Sequence, residues 1–409
     1  MRCVMVYSKL EIIVFLLLSV SIHVRVSSID DNYEQCENIV KNWASSSLDA
    51  DIKGDKHELR DLLFFLHIPR TGGRTYLHCF LKKLYTNSQE CPRSYDKLRF
   101  NPRKTNCRLL STHDDYSLMS KFPKEKTSVV TILRNPVDRI FSTYEFSVEV
   151  AARFLIHPNL TSVARMAKRV RSKTSGVSTL DIWPWKYLVP WMREDLFARR
   201  DARKLKPDAY SVTNNPYDME DILMPLHEYI NSPIAKDIIH NGATFQITGL
   251  TNNSYFVDAH KIRHCVFKHQ TLGAYVLKVA KKRLDGMLYI GLTENHRESA
   301  TMFANVVGAQ VISQHLASSS TDVASNDDSE QRSSLSDVQH VAKNQGIDAH
   351  QKLKNISSIT QDEVGHGNLT VGKLVEAYES CTSNLRKTQA ERRGNSLKRI
   401  APANLTKEV

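Results

Sequence analysis

Residues 67–75 read HIPRTGGRT and bring two glycines, two arginines and two threonines into one short stretch. This composition suits an anion. Backbone N–H groups of a tight turn, and of a helix that starts directly after it, converge on one point. Gly72 and Gly73 let the chain approach that point closely. Arg70 adds a fixed positive charge, and Thr71 and Thr75 add hydroxyl donors. The Lys-Ser or Lys-Thr pair that follows the glycines in nucleoside-triphosphate loops is missing, which disfavours a nucleotide kinase or phosphatase. Taken alone, the stretch is equally a Gly-Gly turn capping a helix, with Arg70 in solvent.

A second stretch, TILRNPVDRIFSTYEF from Thr131 to Phe146, shifts the balance. Arg134 stands at the end of a buried strand and Ser142 two turns into the next helix. Both are placed to face the mouth of a sheet, the crevice where α/β folds bind ligands. By itself this segment would be a surface arginine and a helix serine. Together the two segments imply a ligand with two separated anionic groups, such as a nucleotide phosphorylated at both ends of its ribose.

The elements that must position these residues alternate between strand and helix. DLLFFLHI is too continuously apolar for an exposed hairpin and predicts a buried parallel strand. TYLHCFLKKLY carries its apolar residues at helical spacing. A short strand at CRLLST, a second buried strand at TSVVTILRNP and a late strand at DGMLYIGLTE follow, the last between two helices. The pattern predicts an α/β fold: a P-loop-like parallel sheet flanked by helices. Residues 155–240 are rich in Arg and Lys, carry WPWKYLVPW and show few strand signals. They predict a helical insertion shaping a substrate cleft, with Trp183, Trp185 and Trp191 in a local core.

The chain has 409 residues, 41% hydrophobic content, a formal net charge of +12 and seven cysteines. An anionic cofactor, substrate or surface fits that charge. Most of the basic residues are dispersed, as on any solvated surface, and no nucleic-acid partner is expected. LEIIVFLLLSVSI, flanked by Arg2 and Lys9 and followed by Ser27 and Ser28, reads as a signal peptide over residues 1–28. An uncleaved anchor is the alternative. Asn-x-Ser/Thr acceptors for glycosylation fall at Asn159, Asn252, Asn355, Asn368 and Asn404. Loss of Cys3 with the signal leaves Cys36, Cys79, Cys91, Cys107, Cys265 and Cys381, an even set in an oxidising compartment. Locality favours Cys91 with Cys107, and Cys79, beside an apolar helix face, reads as a buried thiol. The expected organisation is an N-terminal extension at 29–57, a folded body at 58–316 and a tail at 317–409. The tail opens as a Ser/Asp-rich linker and becomes weakly helical. No clustered Cys/His spacing points to a metal.

LHIPRTGGRT and TILRNPVDRIFSTYEF resemble the two nucleotide-binding segments of Golgi sulfotransferases that use 3′-phosphoadenosine 5′-phosphosulfate (PAPS). The closer resemblance is to the heparan sulfate 6-O-sulfotransferase group, to which RLDGMLYIGLTENHRESATMF is also similar. Within it the layout is similar to the plant-type tyrosylprotein sulfotransferases. The resemblance spans roughly residues 60–316. It implies that 67–75 (His67, Ile68, Pro69, Arg70, Thr71, Gly72, Gly73, Arg74, Thr75) is the 5′-phosphosulfate loop and that Arg134 and Ser142 contact the 3′-phosphate. STHDDYSL matches the group's segment bearing the general base, which gives that role to His113. A loop imidazole near neutral pKa is a suitable proton acceptor, and Asp114 and Asp115 are rival bases or orienters. Two positions depart from the group's pattern: Arg70 stands for Lys and Arg74 for Thr. An arginine does not donate a proton at ordinary pH, so Arg70 would stabilise leaving-group charge by hydrogen bonding.

The implied activity is sulfuryl transfer to tyrosine in acidic secreted peptides or proteins, in the Golgi lumen and without a metal. The basic insertion would attract the acidic residues around the acceptor. The family's C-terminal membrane span is not in this chain, so membrane association stays open, and secretion follows if that span is the only anchor. A carbohydrate acceptor with the same donor is the first alternative. A catalytically silent secreted binder of anionic partners is the second.

Overall fold

The structure is a computed structural model and describes residues 32–49, 56–92, 97–153, 179–205, 222–323 and 369–400. The signal segment, Asn159, Asn355, Asn368 and Asn404, and parts of the insertion and tail lie outside these residues. Among the described residues no helix is long and apolar enough to cross a membrane.

The core is a four-stranded sheet in the order β2-β1-β3-β4, with every pairing parallel. The strands are β1 (Leu62–Leu66), β2 (Leu109–Thr112), β3 (Thr127–Leu133) and β4 (Tyr289–Leu292). Central β1 buries Leu63, Phe64, Phe65 and Leu66 completely. Alternate side chains enter different clusters on the two faces, Leu63 and Phe65 on one and Phe64 and Leu66 on the other. Burial on both sides accounts for the unbroken apolar run.

Helix α1 spans residues 32–48. Helix α2 starts at Gly73–Tyr76, widens into a π turn at Leu77–Leu81 and ends at Lys82–Leu84. Helices α3 (Pro136–Arg153) and α4 (Trp185–Lys204) pack on each other, and the short α5 (Leu226–Asn231) and α6 (Pro233–Ile239) close their cluster. Trp183 and Trp185 are buried and Trp191 stacks on Tyr229 at 5.7 Å, so these tryptophans are local core. Then come α7 (Gly242–Ile247), α8 (Ala259–Lys268) and α9 (Gly273–Asp285). After β4 follow α10 (His296–Phe303), a second π turn at Ala304–Gly308 and α11 (Ala309–Val323), and α12 spans Val371–Ile400.

Both chain ends contact the body over their described residues. The extension at 29–57 is tied to the body, because α1 packs on α8 and α9 and Cys36 is bonded to Cys265. The tail after 316 does not stand apart over α12. Val371, Leu374 and Tyr378 are buried in the same cluster as β1 and α2. Tyr378 stacks on Phe80 at 4.4 Å with 10° between the rings, and α12 lies against both π turns. Cys79 is correspondingly not a free thiol but bonded to Cys381. Cys91 pairs with Cys107 as locality suggests. Weak periodicity hid α12 because, among its described side chains, Val371, Leu374 and Tyr378 are buried and Val375, Cys381 and Leu385 only partly so, between polar residues.

Candidate active site

A parallel sheet delivers all its strand ends to one edge. His67, His113, Arg134 and Thr293 are the first residues beyond β1, β2, β3 and β4 respectively. The chain runs from β1 to one side of the sheet and returns to the other, so the crevice between β1 and β3 is the topological switch point where such sheets bind ligands.

The loop from β1 into α2 has the shape of an anion cradle. Arg70 has φ 67° and Gly72 φ 79°, both left-handed, and Thr71 between them is not. This alternation turns successive N–H groups to one side. Glycine adopts that conformation freely, whereas Arg70 adopts it at a cost of about 1 kcal/mol or more. The loop is braced from within: the Thr71 hydroxyl donates to Ile68 O at 2.9 Å and Thr75 N donates to Gly72 O at 2.9 Å. The Thr71 hydroxyl is thus used by the loop itself and does not face outward as expected. Ile68 is fully buried and Pro69 also faces inward, so both could offer a ligand only their main chain. Arg74 is exposed and Thr75 half-buried.

The two expected anion sites meet. Arg70 Nε donates to Ser142 Oγ at 2.9 Å, and its guanidinium lies 4.8 Å over the Phe146 ring. Arg134 Nη1 donates to Arg70 O at 3.3 Å. Burial, then the charge of Arg134, lowers the pKa of Arg70, while Glu149 and Glu145 partly offset this. Two guanidinium groups in mutual repulsion at a strand-end crevice are a fit for a polyanion that would neutralise both. Thr293, in the GLTE stretch, ties the pair of segments together, its hydroxyl lying 2.8 Å from both Thr71 O and Leu133 O. Glu294 accepts from Asn135 N at 2.7 Å.

His113 is buried and stacks on His67 with ring centroids 4.2 Å apart; His67 stacks in turn on Phe65 at 5.3 Å. Burial lowers the His113 pKa to about 4, against a smaller upward pull from the His67 backbone. Burial, and then His113, hold His67 well below its ordinary value too. Both rings are neutral at physiological pH. The rival carboxylates are committed to loop structure. Asp114 accepts from Lys97 N at 2.9 Å, from Thr112 Oγ1 at 2.8 Å and from Asn253 Nδ2. Asp115 accepts from Thr251 N and Oγ1 at 2.9 and 2.7 Å and from the Ser117 amide and hydroxyl. Asn252, the one candidate glycosylation site in view, is exposed, with its amide held by Asp237 and Arg263.

Gly73 is needed for space. A Cβ there would lie 2.4 and 2.6 Å from His67 Cδ2 and Nε2 and 3.0 Å from Phe65 Cζ. The stacked rings cannot yield without moving His113. Gly73→Ala is therefore expected to destabilise the fold by about 1–3 kcal/mol. It should also weaken binding of adenosine 3′,5′-bisphosphate by about tenfold, or roughly 1.4 kcal/mol. Calorimetric titration checks this, and unchanged affinity would show that the loop tolerates a displaced His67.

Residues that sequence reasoning missed are Gln246, whose side chain enters beneath the strand ends from α7, and Arg139, buried on α3 with Nη2 donating to Ile239 O at 3.3 Å. A lone Gln in an apolar stretch gave no signal. Arg139 sits inside a quoted motif, but sequence alone does not say which of its arginines turns inward.

The fold that carries this strand-end crevice is that of a sulfotransferase: a family model described as the sulfotransferase domain matches residues 31–189. An Arabidopsis thaliana protein named protein-tyrosine sulfotransferase is 60% identical over 380 residues, covering 92% of this chain and 74% of its own length. The chain belongs to the protein-tyrosine sulfotransferase family.

Proposed function

We propose that the protein transfers a sulfuryl group from PAPS to the phenolic oxygen of tyrosine in acidic secreted peptides or proteins. The observation that carries this reading is the convergence of Arg70, Arg134 and Ser142 on one crevice beside a buried neutral imidazole. PAPS, when bound, supplies the electrophilic sulfur and an adenosine 3′,5′-bisphosphate leaving group. Arg134 and Ser142 would hold its 3′-phosphate and loop 67–75 its 5′-phosphosulfate. His113 accepts the phenolic proton as the tyrosine oxygen bonds to sulfur and the bridging S–O bond breaks. Arg70 and the loop amides take up the negative charge that develops on the bridging oxygen. Negative charge at the crevice raises the basicity of His113 above that of the empty site. The organelle is expected to be the Golgi lumen, consistent with three disulfides in the fold.

The test is to incubate the purified protein with radiolabelled PAPS, an acidic tyrosine peptide and a desulfated glycan. Label is expected on the peptide. Label on neither acceptor removes the enzymatic reading, and label on the glycan alone removes tyrosine. The lowered pKa of His113 also makes a directional prediction. The free enzyme should keep His113 unprotonated down to about pH 5, so kcat/KM for the donor should hold its plateau to that pH. An ordinary histidine base would halve it near pH 6.5. His113→Ala should lose the acid limb together with about 10²–10⁴-fold in kcat, and a variant that turns over normally would remove His113 from the mechanism.

A further inference from the structure

We infer that Gln246 is a positioning residue that fixes the base loop against the donor loop. Its side chain is 1% exposed. Its Nε2 donates to His113 O at 2.9 Å and lies 3.3 Å from His67 O and 3.4 Å from Asp114 O. Three carbonyl oxygens around one atom leave no choice of amide orientation, because only the nitrogen carries donors. Two hydrogens serve three acceptors, so the contacts to His67 and Asp114 are shared.

These carbonyls belong to the residues just beyond β1 and β2, so one amide spans the two strand ends that carry the stacked imidazoles. The same two strand ends are also joined by the ladder bond from His67 N to Thr112 O, 3.0 Å. Gln246 is itself anchored. Helix α7 starts at Gly242, where an added Cβ would lie 3.1 Å from Arg139 Nη2, and Arg139 also donates to Ile239 O. Arg139 lies one turn before Ser142 on α3. The α7 corner is thereby seated on the helix that carries the proposed 3′-phosphate contact.

The proposal rests on His113 as the base, so the test includes a readout that does not depend on turnover. In Gln246→Met, which keeps length and removes the donors, kcat should fall about 10–100-fold, in line with small misplacements of a reacting group. Affinity for adenosine 3′,5′-bisphosphate should change much less. The NMR signals of the His113 ring should shift whether or not His113 is the base, which separates failure of this proposal from failure of the base assignment. Gln246→Glu keeps the shape but presents a carboxylate to three carbonyls. It donates only when protonated, so its kcat should recover as pH falls, opposite to the wild-type trend. Unshifted His113 signals in Gln246→Met would overturn the proposal. So would kcat losses no larger than the loss of folded protein, or failure of both variants to fold, since each assigns Gln246 to the fold alone.

Discussion

Arg70→Ala should lower kcat by about 10²–10³-fold, the usual effect of deleting one preorganised donor at a site of developing charge. Arg70 is placed to act on both halves of the crevice. Its backbone belongs to the loop, its Nε reaches Ser142 on α3, and its carbonyl accepts from Arg134. Arg70→Lys keeps the charge but not the planar fork, so it should recover only part of the loss and leave Ser142 without that donor. Arg70→Gly separates charge from backbone. The left-handed φ of 67° suits glycine better than arginine, so this variant should show the same kinetic deficit as Arg70→Ala with a smaller loss of stability. Steady-state kinetics with a tyrosine peptide and thermal melts of all three variants check the pattern. A kcat for Arg70→Ala within about twofold of wild type would show that the loop amides suffice.

The largest expected effect on stability comes from Cys381→Ser. The Cys79–Cys381 bond closes a loop with a sequence separation of 302 residues, and removing a native disulfide commonly costs about 2–5 kcal/mol. Two consequences follow from its position. Helix α12 loses its covalent hold on α2, leaving the Phe80–Tyr378 stack and the seat of Leu374 over Gly308 to keep it in place. Helix α2 loses a brace seven residues after Thr71–Gly72, so donor affinity should fall together with stability. A melting temperature lowered by about 10 °C is expected. A shift below about 2 °C would mean that packing alone secures α12.

The sequence exposed the site unevenly, for physical reasons. Strand, loop and helix around 62–84 were legible because a buried parallel strand has no polar face and a glycine turn has few uses. Arg134 and Ser142 were legible because Pro136, two residues after the arginine, marks the change from strand to helix. The direct Arg70–Ser142 contact was not, since spacing places residues at an edge but does not aim their side chains. Gln246 was silent because its partners are backbone carbonyls, which every residue carries. Cys79 and Cys381 could not be paired from sequence, because their proximity depends on how α12 returns across the π turns. The acidic pair after His113 was ambiguous until Ser117, Thr251 and Asn253 were seen to occupy it.

The span between Cys79 and Cys381 also sets an order of events in biosynthesis. The donor-loop helix is made early, and its covalent partner emerges 302 residues later. At about 5–20 residues per second this is a wait of roughly 15–60 s. During it the loop-bearing helix has an unpaired thiol and an apolar face, formed by Tyr76 and Phe80, with no Tyr378 to cover it. A chain released early would carry every residue of the proposed clamp and still lack the clasp that closes over it, so completion of the far end serves as the checkpoint for the near one.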